Sequence, residues 1–512
     1  MNPLRYAPAL ALLLSAATSS ADQYPDNGVA QFSRAGAWLA TASDPIAAFY
    51  NPAALALQKT SASAGAHVAF QRICFERRGP DGGPASYSPI GEPYPEVCNE
   101  DGGRPSFLPH FAASFRAADR LGIGLSVTPP ASYGKIVWPA SVEVTDSVGQ
   151  RRAIPAPQRY LSLGEDETSY FVTLAAGYAV RSDLRVGVGF VVGFSSLEID
   201  FASMGQVNPA QLRSGDDASF DQRNHIEARD LFVPGAVASV DYSPTPSLDL
   251  AAWYRYSDAI RARGDLEIWS PLYGPPPAND VLPECPPGSS AACAARSRAS
   301  DRLGENPLRL KRAIPMQARI GARWHLPQPP ATGLLAERIG PRLRPTRDPL
   351  ADDRYDLELD FTYSNDSAAE TTEIRVPRAG QNLDQRHGYH DSFGARLGGQ
   401  YAVIRNEFGV RLGTWIATPS SDAADLDISA VRAWRGGLAT GLVFRVQAVD
   451  LEFGYQHHYA FGLDNGGAGR RRAIAASSTD PASFSGRSYH AVNGGSVSQS
   501  ANVFALGAVA RF

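Results

Sequence analysis

The sequence predicts an all-β protein: a transmembrane antiparallel β-barrel of about fourteen strands, with a small N-terminal helical hatch plugging its lumen. Three observations predict it. Apolar and polar residues alternate strictly along most of the chain, the connections between alternating segments are mostly long and short by turns, and the last segment is an apolar stripe ending on Phe512. Composition agrees. The 512 residues carry 48 Lys+Arg against 52 Asp+Glu, a formal net charge of −4, which excludes a strongly basic nucleic-acid binder. Hydrophobic residues make up 44%, too many for a disordered chain, and 47 Gly with 39 Pro favour turns over long helices.

Residues 1–21 read as an export signal. Arg5 supplies the positive region, Ala7–Ala17 a short apolar run, and Ser19-Ser20-Ala21 a small-residue cleavage site. The apolar run is too short to span a bilayer, and no later run reaches 18 apolar residues, so a membrane role requires a β-barrel. The mature chain is expected to begin near Asp22, with a hatch over 22–57 and the barrel over 58–512.

The alternation is clearest in Arg354–Tyr363. There Tyr355, Leu357, Leu359, Phe361 and Tyr363 share one face, and Asp356, Glu358 and Asp360 the other. In Leu248–Tyr256, Leu248, Leu250, Ala252, Tyr254 and Tyr256 oppose Asp249, Trp253 and Arg255. Period two with one apolar face is a half-buried strand, and here the second face carries charges of both signs and many glycines. Spans of this kind are expected at 61–76, 104–117, 120–136, 159–180, 184–202, 228–243, 247–268, 309–326, 354–372, 389–403, 405–418, 433–446, 448–462 and 498–512. Connections are short near residues 118, 182, 245, 404 and 447 and long elsewhere, the asymmetry of barrels with tight turns at one end and loops at the other. The long, Pro- and Arg-rich 327–353 violates it, standing where a short turn belongs.

Four cysteines, Cys74, Cys98, Cys285 and Cys293, form two local pairs on the long-loop side. An exported chain can keep disulfides, and local pairing is the preferred one of three connectivities. No C-x-x-C or histidine at ligand spacing supports a metal site. In the final strand Phe504, Leu506 and Phe512 lie on one apolar face, resembling the C-terminal signal read by outer-membrane assembly machinery, although the third residue from the end is Ala510 rather than aromatic.

Residues 22–57 differ in kind. Short helical pieces are punctuated by Asp44-Pro45 and Asn51-Pro52, and Trp38, Leu39, Phe49, Tyr50 and Leu55 need burial. Arg34-Ala35-Gly36-Ala37-Trp38, then Asp44-Pro45, then Asn51-Pro52-Ala53 resemble the N-terminal hatch of FadL-type outer-membrane transporters of long-chain fatty acids and other hydrophobic compounds, including the TodX group. Leu121–Gly134 is similar to that family's third strand, and Tyr389–Thr418 and Gly436–Tyr459 to its late hairpins. The two Cys pairs and the long 327–353 connection depart from the family pattern.

The resemblance implies a bacterial outer-membrane channel that takes up hydrophobic compounds without a cofactor, metal or energy source. It also implies that Pro129, Pro130 and Gly134 kink the third strand and open the wall sideways. The residues alone allow either that kink or a simple strand end, since proline cannot donate to the ladder in either case. Loop residues Trp269, Leu272, Tyr273, Phe484 and Tyr489 are candidates for an apolar entry groove. Inward Arg185, Arg255, Arg319, Arg323, Arg396 and Arg411 could meet a carboxylate or simply pair with Asp249, Asp356, Glu358, Asp360, Glu407 and Glu452. No catalytic motif is present: no G-x-S-x-G, no H-E-x-x-H and no phosphate-binding loop. An open porin for small hydrophilic solutes is the alternative, and a hatch is what it would not need. A barrel closed on itself needs no partner, so a monomer is expected.

Overall fold

The computed structural model describes residues 28–87, 91–100, 105–129, 135–206, 218, 221–269, 272, 306–328, 346–377, 381–476 and 486–512. A closed 14-strand antiparallel barrel runs through them. Its wall is β1 Ser61–Arg77, β2 Ser106–Ala118, β3 Leu121–Thr128, β4 Gly164–Ala179, β5 Leu184–Gln206, β6 Asp221–Thr245 and β7 Leu248–Ser257. It continues with β8 Gln317–Pro327, β9 Asp353–Ser364, β10 Ser392–Ile404, β11 Phe408–Ala417, β12 Arg435–Val446, β13 Val449–Asp464 and β14 Gly495–Arg511. Each strand pairs with its sequence neighbours, and β14 returns to β1 from Ser61↔Arg511 to Arg77↔Gly495. Pairing of β14 with β1 leaves no edge strand among the described wall strands, which a lipid-facing sheet requires.

The apolar faces read from the sequence point outward. Val188, Phe190, Ile320, Leu357, Phe361, Leu412 and Leu438 are exposed, while Asp356, Glu358 and Asp360 between them are buried in the lumen. Phe504, Leu506 and Phe512 also lie on the outer surface. A belt of this kind meets hydrocarbon and leaves the lumen polar.

Several predicted strands are interrupted. Residues 247–268 form β7 and then a second segment, Ile260–Trp269. Pro307–Arg312 likewise precedes β8, Thr371–Val376 follows β9, and Gln381–Arg386 precedes β10. These pieces pair with the far half of β6 into a sheet that continues the wall past the belt. In β6 the pairing jumps from Val233↔Gly193 to Asp230↔Ser195, leaving Leu231 and Phe232 as an exposed bulge. Because side chains alternate with period two, this slip exchanges the faces. Beyond it Ile226 and Ala228 pack inward with Leu197, Leu266, Leu308, Leu310 and Ile374, and charged residues point outward. The stretch 203–227, expected as loop, is therefore partly strand.

On β1, Cys74 bonds Cys98, the local pairing expected of the first two cysteines. Cys285 and Cys293 lie outside the described residues.

Candidate functional site

The hatch, residues 28–57, is buried almost throughout and touches the wall on several sides. It comprises α1 Val29–Phe32, a turn, α2 Ala47–Tyr50 and a 3-10 helix Pro52–Leu57. Gly36 allows the turn after α1 because its φ is +80°, a backbone region that costs glycine little. Asp44 Oδ1 accepts from the Ile46 amide at 2.9 Å, and Pro45 follows it into the next turn. Burial, followed by the nearby Glu452, pushes the Asp44 carboxyl up to about 7. Pro52 opens the 3-10 helix at a position where a missing amide hydrogen costs nothing.

The acidic face of β9 holds the hatch. Arg34 Nη2 lies 2.5 Å from Asp356 and 3.5 Å from Glu358. Asp360 accepts from the Trp38 and Leu39 amides at 3.2 and 3.3 Å, and Glu358 from those of Ala40 and Thr41 at 2.6 and 3.1 Å. Three strands away, on β6, Asp241 accepts from Asn51 Nδ2 at 2.6 Å and Ser239 from the Ala53 amide at 2.8 Å, while Asn51 Nδ2 also donates to the Leu39 carbonyl at 2.7 Å. Trp253 Nε1 donates to the Phe49 carbonyl at 2.9 Å, and Gln456 Nε2 to that of Phe32. The hatch motif residues Arg34, Asp44, Asn51, Pro52 and Ala53 are thus all seated inside the wall.

The inward glycines explain how close the hatch can come. A Cβ at Gly187 would stand 2.2 Å from the Pro52 carbonyl carbon, and one at Gly413 2.4 Å from that of Arg34. Bare backbone at these positions leaves room for another backbone.

The end of the long 327–353 connection, residues 346–352, reaches beneath the hatch. Thr346 donates through its amide to the Leu57 carbonyl at 3.3 Å and through its hydroxyl to that of Ala54 at 2.8 Å. Arg185 of β5 donates to the same hydroxyl at 3.1 Å. A short helix follows, α3 Pro349–Asp352, whose Leu350 packs on Ala402 and Val443. Asp348 meets Arg445 at 2.7 Å, and Arg511 with Arg445 holds its carboxyl below the usual range against the burial that would raise it. The sequence shows the length of this connection but not that residues 346–352 form a strap at the short-turn end.

Toward the long-loop end lies a cavity of about 450 Å³, within the usual size of ligand sites. Ile199, Phe201, Ile226, Leu310 and Ile374 give it an apolar wall, and Arg312, His387, Tyr389, Asp427 and Arg471 a polar one. Arg312 pairs with Glu167, and Arg471 with Asp427 at 2.7 Å. The His387 ring is stacked on Tyr389 at 4.8 Å and is hydrogen-bonded to the Thr372 hydroxyl at 3.0 Å. Burial, abetted by the Arg471 charge and opposed by Asp427, pulls its pKa down to about 4. None of these residues was singled out from the sequence, because they lie on separate segments and form no local motif.

The remaining expectations fall out unevenly. Arg323 meets Asp353, Asp356 and Asp249 at 2.6, 3.3 and 3.4 Å, Arg411 meets Glu452 at 2.7 Å, and Arg185 is 3.9 Å from Asp241, so pairing within the lumen is what these arginines do. Arg255 lies over the Phe49 and Phe171 rings and Arg319 over Trp253. Glu407 is exposed in a turn and takes no part. Leu272 packs against the cluster of Tyr160, Leu163 and Met204, whereas Tyr273 and Phe484, and the side chains of Trp269 and Tyr489, lie outside the described residues. Among the described residues the third strand pairs with β4 from Leu121↔Tyr178 to Thr128↔Phe171, and Ile136 and Val137 pair with Glu165 and Gly164. Pro129, directly after Thr128, is buried, and Pro130 and Gly134 lie outside the described residues.

No family model and no curated relative matches the chain. Solved structures do. A FadL homologue from Pseudomonas aeruginosa superposes with a TM-score of 0.64 at 16% identity, covering 96% of this chain and 100% of that one. The toluene transporter TbuX of Ralstonia pickettii gives 0.56 at 14%, covering 96% and 99%. The toluene transporter TodX of P. putida gives 0.54 at 13% with the same coverage. A closed barrel with a hatch seated in it, matched along nearly the whole length of these proteins, gives this chain the fold of the FadL-type transporters.

Proposed function

We propose that this chain is a bacterial outer-membrane channel for the passive uptake of hydrophobic compounds. The observation that carries the proposal is the combination of a lumen closed by a hatch and a half-apolar cavity toward the long loops. A hydrated solute would find the lumen blocked, whereas an apolar one gains by leaving water for the Ile199, Phe201, Ile226, Leu310 and Ile374 wall. An open porin has no use for such a hatch.

The finer reading follows from the same geometry. Arg312 and Arg471 beside the apolar wall, each also holding a carboxylate, suit an amphiphile with an acidic head, such as a long-chain fatty acid, while toluene is what TbuX and TodX are described as transporting. Two successive prolines, which cannot donate to a ladder, support a sideways exit at Pro129, Pro130 and Gly134, which delivers the compound to lipid rather than to water. In this reading residues 1–21 are removed on export, 22–57 form the hatch, the C-terminal strand is read by the assembly machinery, and the barrel acts as a monomer without cofactor or catalysis.

Proteoliposome uptake tests this. Labelled long-chain fatty acid should enter with the intact protein, and a small sugar should leak only once residues 22–57 are deleted. Free sugar passage with the hatch in place, together with no fatty-acid uptake, would make this a porin. Labelled toluene in a parallel arm separates the two classes of hydrophobic substrate.

A further inference from the structure

Past the belt, the outer face of the wall carries a charge pattern that uptake does not use. Arg229 stands directly opposite Arg263, Arg263 opposite Arg309, and Arg309 opposite Arg375, on four successive segments of one ladder. Their sequence neighbours Ala228, Ala262, Leu308, Leu310, Ile374 and Val376 are buried on the inner side, so the four guanidinium groups point away from the barrel. Two residues nearer the belt, Arg261 faces Lys311. Two residues farther from it, Glu198, Glu227 and Asp265 form an acidic row.

Like charges set opposite one another across a ladder repel. The ends of the basic row are relieved: Arg229 meets Glu227 at 2.6 Å, and Arg375 meets Glu373 at 3.3 Å and Asp384. Arg261 and Lys311 meet Asp258 and Glu373 at 2.5 and 2.9 Å. Arg263 and Arg309, the directly opposed pair at the centre, have no carboxylate at ion-pair distance among the described residues. At the usual strand spacing the row is roughly 14 Å long.

Its height on the wall identifies what it faces. The row begins next to Leu231 and Phe232, exposed apolar side chains at the bulge where the faces exchange. Below them the surface meets hydrocarbon, so the side chains immediately above meet lipid headgroups. Arginine is the side chain whose planar fork matches phosphate oxygens in pairs. We propose that this outward face, centred on Arg263 and Arg309, binds the phosphates of a phosphorylated outer-leaflet lipid, one whose headgroup carries more than one phosphate. The proposal rests on the outer-membrane reading but not on which compound is transported.

The test uses the full-length barrel in nanodiscs. Retention of a glycolipid bearing two phosphomonoesters is measured by native mass spectrometry, against the same glycolipid without its phosphates and with inorganic phosphate as competitor. The expected result is at least tenfold stronger retention of the phosphorylated form, lost in R263Q/R309Q and kept in the control R151Q/R152Q, two exposed arginines of the separate hairpin Ser141–Thr145 and Arg151–Pro155, with no competition from millimolar phosphate. Equal retention of both glycolipids by the wild-type protein, which needs no variant to fold, would overturn the proposal. So would full retention by R263Q/R309Q. Competition by millimolar or lower inorganic phosphate would identify a free-anion site and overturn the lipid assignment. Hydrophobic uptake by R263Q/R309Q is expected unchanged, so failure here and failure of the channel reading are told apart.

Discussion

Arg34 of the hatch and Asp356 of the wall are joined by an ion pair of 2.5 Å in which both side chains are 1% exposed. They lie on segments that the chain order keeps far apart, and nothing but the closed barrel brings them together. A buried pair adds little net stability against an apolar alternative, but losing one partner strands the other. Asp356→Ala leaves Arg34 only Glu358, at 3.5 Å, among the described carboxylates and should therefore loosen the hatch, by at most about 3–5 kcal/mol. Sugar leak from proteoliposomes should rise toward that of the hatch deletion, while heat-modifiability on gels shows the barrel still closed. A tight barrel with unchanged leak would show that the β9 carboxylates are not what seats the hatch.

The inward glycines give a second handle. Gly187→Val places a side chain where the Pro52 carbonyl carbon stands 2.2 Å from the Cβ position. Overpacking costs about 1–3 kcal/mol and here falls on the hatch rather than on the strand ladder. The expected outcome is a folded barrel with raised sugar leak. Val188→Ala, on the lipid face of the same strand, serves as the control and should leave leak unchanged.

At the short-turn end the strap offers a third. Asp348→Asn removes the charge that meets Arg445 at 2.7 Å, while Asp450 remains to pair with Arg445. One charge-assisted bond is worth about 1.5–3 kcal/mol. Hydrogen exchange should quicken across 346–352 and at the 3-10 helix Pro52–Leu57, whose last carbonyls Thr346 holds. Exchange confined to the strap would mean that it does not support the hatch.

The cavity should be sensitive to acid. His387 ordinarily titrates at 6.5 and in the folded chain at about 4. Between those values the unfolded chain binds a proton that the folded one refuses, so stability is lost as pH falls from 6.5 toward 4. Hydrogen exchange around 387–389 and 425–431 should accelerate over that window. His387→Gln, which can still bond the Thr372 hydroxyl, should flatten the response; an unchanged profile in the variant would assign the acid sensitivity to another group.

Much of this molecule is local. Alternation in Leu248–Tyr256 or Arg354–Tyr363 shows which residues meet lipid because period two is a property of one strand. Asp44-Pro45 and Pro52 are legible in the hatch because Asp44 caps the Ile46 amide two residues on and proline acts on its own backbone. The first cysteine pair was legible because Cys74 and Cys98 are 24 residues apart on adjacent strands.

The sequence by itself determined that strands form, which faces are apolar, and that a compact hatch precedes them. Tertiary structure alone decided which strand meets which part of the hatch: the Trp38 amide finds Asp360 across 322 residues. It also decided that 346–352 crosses under the hatch, and that the slip at Leu231 and Phe232 turns the outer face of the wall from apolar to charged. The reason is physical. Alternation reports the two faces of a strand, but a register shift, an ion pair between distant segments and a cavity are relations among strands, and those arise only when the sheet closes.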